Sequence, residues 1–240
     1  MADINNIIYD MDVTIGGPRV DLKVEQFDVI IRQKGYRVTW EQSMYCSCYT
    51  PETGQPNYMC PVCHGLGFIY FNPIQTRMVV ASISGYKDYE RLGLNDMGYA
   101  YLTPQSKDKV GFRDRLTFID FTTNFTQVVS RQAVGTPDTL RYPVTNIILV
   151  KMLDTTFYVD VDFMVDPDNP RQIHWINNTV EPGQYYSILY TTKPVYIVTN
   201  IEHELRGTYV VSDAHGGERF IELPKKFQIK REDFLHESTR

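Results

Sequence analysis

All four cysteines of this 240-residue chain lie in one short stretch, CSCYTPETGQPNYMCPVC, from Cys46 to Cys63. Thiols gathered so closely serve either as two disulfides or as thiolate ligands to one ion. The spacing is Cys46-x-Cys48, eleven residues, then Cys60-Pro61-x-Cys63. A Cys-Pro-x-Cys turn aims both of its sulfurs at one point and frees backbone amides to hydrogen-bond them. Gly65 and Gly67 allow the tight path such a knuckle needs. The intervening YTPETGQPNY is rich in Pro and Gly and doubles back to bring the two pairs together. Four thiolates about 2.3 Å from a tetrahedral Zn2+ leave no open position for water, so the ion is structural. The Cys-x-Cys half is tighter than the usual Cys-x-x-Cys, and His64 is a candidate replacement ligand. Disulfides, unpaired buried thiols and an iron–sulfur centre remain the alternatives to zinc. Metal binding of this kind contributes on the order of 10 kcal/mol to folding. That is enough to hold a polar projection that has almost no core of its own.

Composition narrows the choice. The chain carries a net charge of −5, which argues against a general nucleic-acid binder, since phosphate affinity needs clustered Lys and Arg. The opening MADINNIIYDMDVTIGG lacks the basic-then-apolar order of a secretory signal, and no apolar run is long enough to span a membrane. The expectation is a chain made in a reducing cytoplasm, where thiols stay reduced and metal outcompetes disulfide formation.

The elements that must position the cysteines are mostly strands. VDLKVEQFDVIIRQK (Val20 to Lys34) predicts a helix with Val24, Phe27, Ile30 and Ile31 on one face and Gly35 as its stop. YRVTW predicts a strand leading into the cysteine loop, and GFIYFN and TRMVVASISGY predict strands leaving it. GYAYLTP, DRLTFID, TQVVSRQAV and PVTNIILVKML continue the strand pattern. In TTFYVDVDFMV the alternation of Phe157, Val159, Val161 and Phe163 predicts one half-buried strand with Asp160 and Asp162 on its wet face. RQIHW, QYYSILYTTKPVYIVTNIEHEL and RFIELPKKFQIKR follow, separated by turn signals such as DPDNP and EPGQ. The predicted fold is mainly β: a barrel-like core of short antiparallel strands, an N-terminal helix and a zinc-stapled loop insertion. The boundaries read as an arm, helix and first strand over 1–42, a zinc loop over 43–70, a core over 71–232 and a tail over 233–240.

Other constellations have plainer explanations than chemistry. EHELRG sets His203 beside Glu204 but lacks the second histidine of a zinc-protease helix. Asp213, His215 and Glu218 flank Gly216-Gly217, a hairpin turn. The aspartates around Asp160 and Asp162 miss the Gly and distal Glu of a calcium loop. Asn124 and Asn177 head chance glycosylation sequons. No phosphate loop, nucleophile elbow or dinucleotide fingerprint is present. Lys107, Lys109, Arg113, Arg115, Lys225, Lys226, Lys230 and Arg231 would form a basic face if they converge, though a solvated strand surface explains them as well. Tyr45, Tyr49 and Tyr58 around the cysteine loop would suit base stacking or protein contact.

CSCYTPETGQPNYMCPVCHGLGFIY resembles a cysteine motif of neck and head-completion proteins of tailed bacteriophages, in which a zinc knuckle rides on a small β-barrel. FMVDPDNPRQIHWINNTVEPGQYYSILYTTKPVYIV resembles their barrel strands, and LPKKFQIKREDF their closing strand. The resemblance implies a virion protein of the head–tail junction, acting by assembly and not by turnover. It would be a head-closure or adaptor protein in a ring of six or twelve copies. Its neighbours would be the portal and tail-side proteins, with packaged DNA passing through the lumen. It implies no membrane and no small-molecule substrate. Cys46, Cys48, Cys60 and Cys63 are the positions carried over as metal ligands. The alternative from another class is a zinc-ribbon nucleic-acid-binding module.

Overall fold

The computed structural model describes residues 24–63, 65–82, 98–177, 179–202, 205, 207–211 and 218–235. In chain order the elements are α1 (Val24–Lys34), β1 (Tyr36–Tyr45), β2 (Phe68–Ser82), β3 (Tyr99–Thr103), β4 (Arg115–Phe118), β5 (Thr123–Ser130), β6 (Asp138–Thr139) and β7 (Asn146–Met152). They continue with β8 (Thr155–Phe157), β9 (Phe163–Val165), β10 (Gln172–Trp175), β11 (Tyr185–Thr192), β12 (Val195–Glu202), β13 (Gly207–Val211), β14 (Glu218–Glu222), β15 (Lys226–Arg231) and α2 (Glu232–Leu235). Among the described residues, no helix is long and apolar enough to cross a membrane.

Six strands hydrogen-bond in a closed antiparallel barrel, β1-β2-β3-β15-β12-β4, with β4 pairing back onto β1. Closure removes the two terminal strands that an open sheet would have. Alternate residues point inward, so Val38, Trp40, Met78, Leu102, Leu116, Val198, Phe227 and Ile229 fill the interior. The two strands that the sequence suggests after the cysteine loop are one continuous β2. Asn72 and Pro73 sit between them opposite Glu41, where the register with β1 shifts, and Asn72 takes φ 54°. A bulge is where a barrel strand accommodates a proline, because the missing N–H then interrupts no ladder bond.

Residues 123–192 are inserted between β4 and β12 and build a second core. Sheet β5-β11-β7-β8 and sheet β6-β10-β9 share Leu140, Val150, Phe157, Phe163, Ile173, Tyr186, Ile188 and Tyr190. Trp175 packs edge-on against Phe157 and Tyr186, with ring centroids 5.2 and 5.1 Å away. The strands that the sequence assigns to one core therefore divide between two, and the barrel recruits β1 from ahead of the cysteine loop.

Two local expectations change. The predicted strand through TTFYVDVDFMV breaks into β8 and β9. Asp160 adopts φ 63°, its N–H donates to the Phe163 carbonyl, and the Asp162 carboxylate accepts the Tyr158 N–H at 2.9 Å. The aspartates make a turn, which turns Val159 and Val161 out to solvent. In α1, Ile31 is buried against β2, whereas Phe27 and Ile30 are exposed. The helix therefore uses only part of its apolar face within the described chain.

Each core contains one buried aspartate that accepts from one of the two tryptophans. Asp114 accepts from Trp40 Nε1 (2.7 Å), Gly111 N (2.7 Å) and Ser43 N (2.9 Å). Asp138, fully buried, accepts from Trp175 Nε1 (2.8 Å), Tyr186 Oη (2.8 Å), Gln132 N (2.7 Å) and Arg131 Nη1 (3.3 Å). Burying a carboxylate is tolerable only when its lone pairs are filled and its charge is matched. Removing that charge leaves Arg131, itself buried, without its partner. Asp138→Asn is expected to lower stability by about 3 kcal/mol. Asp120→Asn, at the exposed pair with Arg37, should leave the urea midpoint close to wild type. Urea denaturation of both variants checks the contrast.

Candidate metal centre

The barrel positions the cysteines through the last rungs of the β1–β2 ladder, Met44 opposite Ile69 and Tyr45 opposite Phe68. Directly beyond it, the Cys46 N–H donates to the Gly67 carbonyl at 2.8 Å and closes the base of a projecting finger. Inside the finger, Thr50 N–H donates to the Gln55 carbonyl and Gly54 N–H to the Thr50 carbonyl, forming its far turn. The Asn57 side chain accepts the Met59 N–H at 2.9 Å and its carbonyl accepts the Cys60 N–H, which starts the knuckle. Gly65 (φ 83°) and Gly67 (φ 77°) end it. A Cβ at Gly67 would lie 3.1 Å from Pro56, and one at Gly65 would lie 3.3 Å from the Tyr58 carbonyl. Both positions therefore need glycine for conformation and for space.

The four sulfurs of Cys46, Cys48, Cys60 and Cys63 all lie within 4.8 Å of one another. Cys46 and Cys60 are 3.7 Å apart, and Cys48 and Cys63 are 3.4 Å apart. These separations are too long for S–S bonds, which are about 2.05 Å. They match the edge of a tetrahedron around an ion with metal–sulfur bonds of about 2.3 Å, which is about 3.8 Å. Cys46, Cys60 and Cys63 are buried and Cys48 is half-buried, with Leu66 and Ile69 packed against the group. The thiols are the core of the finger, and the arrangement can hold one metal ion.

The electrostatics of the sulfurs are uneven. The backbone amides of Cys63 and Val62 stabilise the Cys60 thiolate and bring its pKa down to about 6. Burial pushes Cys48 up to about 12. Gly67 N–H donates to the Cys63 sulfur at 3.3 Å. A knuckle whose amides already point at sulfur is prepared for thiolate, and a bound cation would supply the charge that burial otherwise penalises.

The remaining sequence candidates do not converge here. His64, the candidate replacement ligand, lies outside the described residues, as do His203, Glu204, Asp213 and His215. The strands β13 and β14 that flank Gly216-Gly217 do pair antiparallel. Four of the eight basic residues have carboxylate partners. Lys109 pairs with Glu222, Arg115 with Glu41, Lys226 with Glu202 and Arg231 with Asp233. Lys230 is buried beside the Tyr99 ring. A cleft of about 70 Å3 near Lys109 is lined by Pro104, Ser106 and Phe227.

Sequence reasoning missed the support beneath the finger. Tyr45 stacks between Tyr49 and Phe68, with centroids 4.7 and 4.8 Å away. The Arg113 guanidinium lies over both Phe68 (5.4 Å) and Phe112 (5.2 Å). Arg113 takes φ 69°, and its N–H donates to the Val198 carbonyl at 2.9 Å. Only the pairing of β4 with β1 and β12 brings that loop to the base of the finger, so no local signal could have found it.

Cys60→Ser is expected to abolish stoichiometric metal binding and expose residues 46–63 to protease while the barrel stays folded. Elemental analysis alongside limited proteolysis checks both effects. No protein-family model matches the chain, and no curated protein matches it.

Proposed function

We propose that the chain is a structural subunit of the neck of a tailed bacteriophage. It is a head-closure or adaptor protein that forms a closed ring of six or twelve copies between portal and tail and helps retain packaged DNA. The observation that carries this reading is the finger itself. It grows from a closed barrel between β1 and β2, and the four thiols that form its core leave apolar side chains on its outside. Tyr58, Met59 and Val62 are 78%, 88% and 64% exposed. Apolar side chains held outward on a rigid projection favour a protein partner. The ion proposed for the thiols is structural Zn2+, which suits an all-sulfur tetrahedral shell and closes its coordination. Ring assembly is a head-to-tail contact that closes on itself.

The competing zinc-ribbon reading needs a basic surface beside the finger. The carboxylate partners of Lys109, Arg115, Lys226 and Arg231 weigh against it. The test is metal analysis with native mass spectrometry and electron microscopy on protein kept in reducing buffer. The expected result is one zinc per chain and a six- or twelvefold ring, formed alone or on a portal ring. The double variant Met59→Asp/Val62→Asp should keep its zinc and lose docking. A zinc-loaded monomer that binds DNA with a steep loss of affinity on adding salt would replace this reading with the ribbon module.

A further inference from the structure

The insert carries one long sheet edge without the usual protection. In sheet β5-β11-β7-β8, β5 pairs with β11 along all eight residues without a bulge. The other edge of Thr123–Val129 exchanges no backbone hydrogen bond with any described residue. Its sequence, TNFTQVVS, has no charge and no proline, and Val128 is 66% exposed. Edges elsewhere in the two sheets of this insert are short: β8 and β9 have three residues each and β6 has two. In the barrel, β2 pairs with β3 only over Val79–Ser82, and the rest of its length is interrupted by the Asn72-Pro73 bulge. A long, uncharged, unbulged edge is a template for another strand, and proteins that do not use one block it with charge, proline or a bulge.

A segment outside the described residues has a matching sequence pattern. In residues 7–15, IIYDMDVTI, alternate positions Ile7, Tyr9, Met11, Val13 and Ile15 are apolar, while Asp10, Asp12 and Thr14 fall between them with Ile8. That period of two predicts a strand with one buried and one wet face. β5 alternates in the same way, with Phe125 and Val129 toward the core and Asn124, Thr126 and Val128 exposed. We infer that residues 7–15 of one copy add as a strand to the β5 edge of a neighbouring copy. Their apolar side chains extend the core beside Phe125 and Val129, and Asp10 and Asp12 stay on the wet face level with Asn124 and Thr126. The donor's being another copy rests on the ring reading above.

Hydrogen exchange read by mass spectrometry tests this on the full-length, zinc-loaded chain. Proline removes the ladder N–H and cannot sit in a paired strand, so Met11→Pro/Val13→Pro should disable the donor without touching the acceptor. The expected result is that alternate amides of 123–130 exchange at least about tenfold more slowly in assembled wild type than in the variant. Dilution to monomer should remove the protection. A synthetic peptide of residues 5–17 added to the variant should restore it. Barrel amides of Val38 to Trp40 serve as the folding control. No protection at 123–130 in assembled wild type overturns the inference, and so does protection that survives dilution, which would mean pairing within one chain. Exchange judges the strand and native mass judges the ring, so each reading fails separately. A ring with unprotected β5 overturns the pairing. A persistent monomer protected only by added peptide supports the edge and overturns the ring.

Discussion

The antiparallel register between β1 and β2 is the constraint on which the rest depends. It runs from Tyr36 opposite Met78 to Tyr45 opposite Phe68. One end of this ladder contributes Val38, Trp40 and Met78 to the barrel interior. The other end sets Cys46 against Gly67, and that one contact determines where the cysteine finger begins. A slip of one residue would turn Val38 and Trp40 outward and separate Cys46 from the second knuckle, because side chains alternate faces with a period of two. The bulge at Asn72 and Pro73 lies between these two ends.

The two cores meet the problem of burying polar groups in the same way. An indole N–H is a single donor on a large apolar body, so a buried tryptophan needs one acceptor nearby. Asp114 and Asp138 supply it, and each then collects backbone or side-chain donors from segments distant in sequence. Asp114 ties the loop before β4 to β1. Asp138 ties β6 to the loop after β5 and to Trp175 and Tyr186. A carboxylate of this kind penalises every arrangement that leaves it unfilled, so it selects one packing as well as stabilising it. The Tyr186 hydroxyl, buried beside the Asp138 charge, is correspondingly hard to ionise: burial raises its pKa and the carboxylate adds to the effect.

Stability is organised differently in the finger. It buries little besides its own thiols, Leu66 and Ile69. Amides aimed at Cys60 and Cys63 and two left-handed glycines give it a shape that converges on four sulfurs. Segments without a core can present apolar residues outward, as Tyr58, Met59 and Val62 are presented here, because no internal packing competes for them.

The cysteine spacing by itself determined the metal-capable cluster. Its ligands lie close in sequence, and the Pro-Gly content of the loop dictates that it folds back. The period-two alternation likewise determined that the chain is mainly β, since burial of one strand face leaves a local mark on sequence. Tertiary structure alone decided which strands join which core. Closing a barrel between β4 and β1, and inserting a second pair of sheets between β4 and β12, depends on pairings separated by many residues. It also decided against the single strand through Val159 and Val161. There the hydrophobic alternation was real, but a left-handed Asp160 and the Asp162 carboxylate favoured a turn. Backbone hydrogen bonding outweighs side-chain periodicity wherever a polar side chain can satisfy the backbone in place of a ladder.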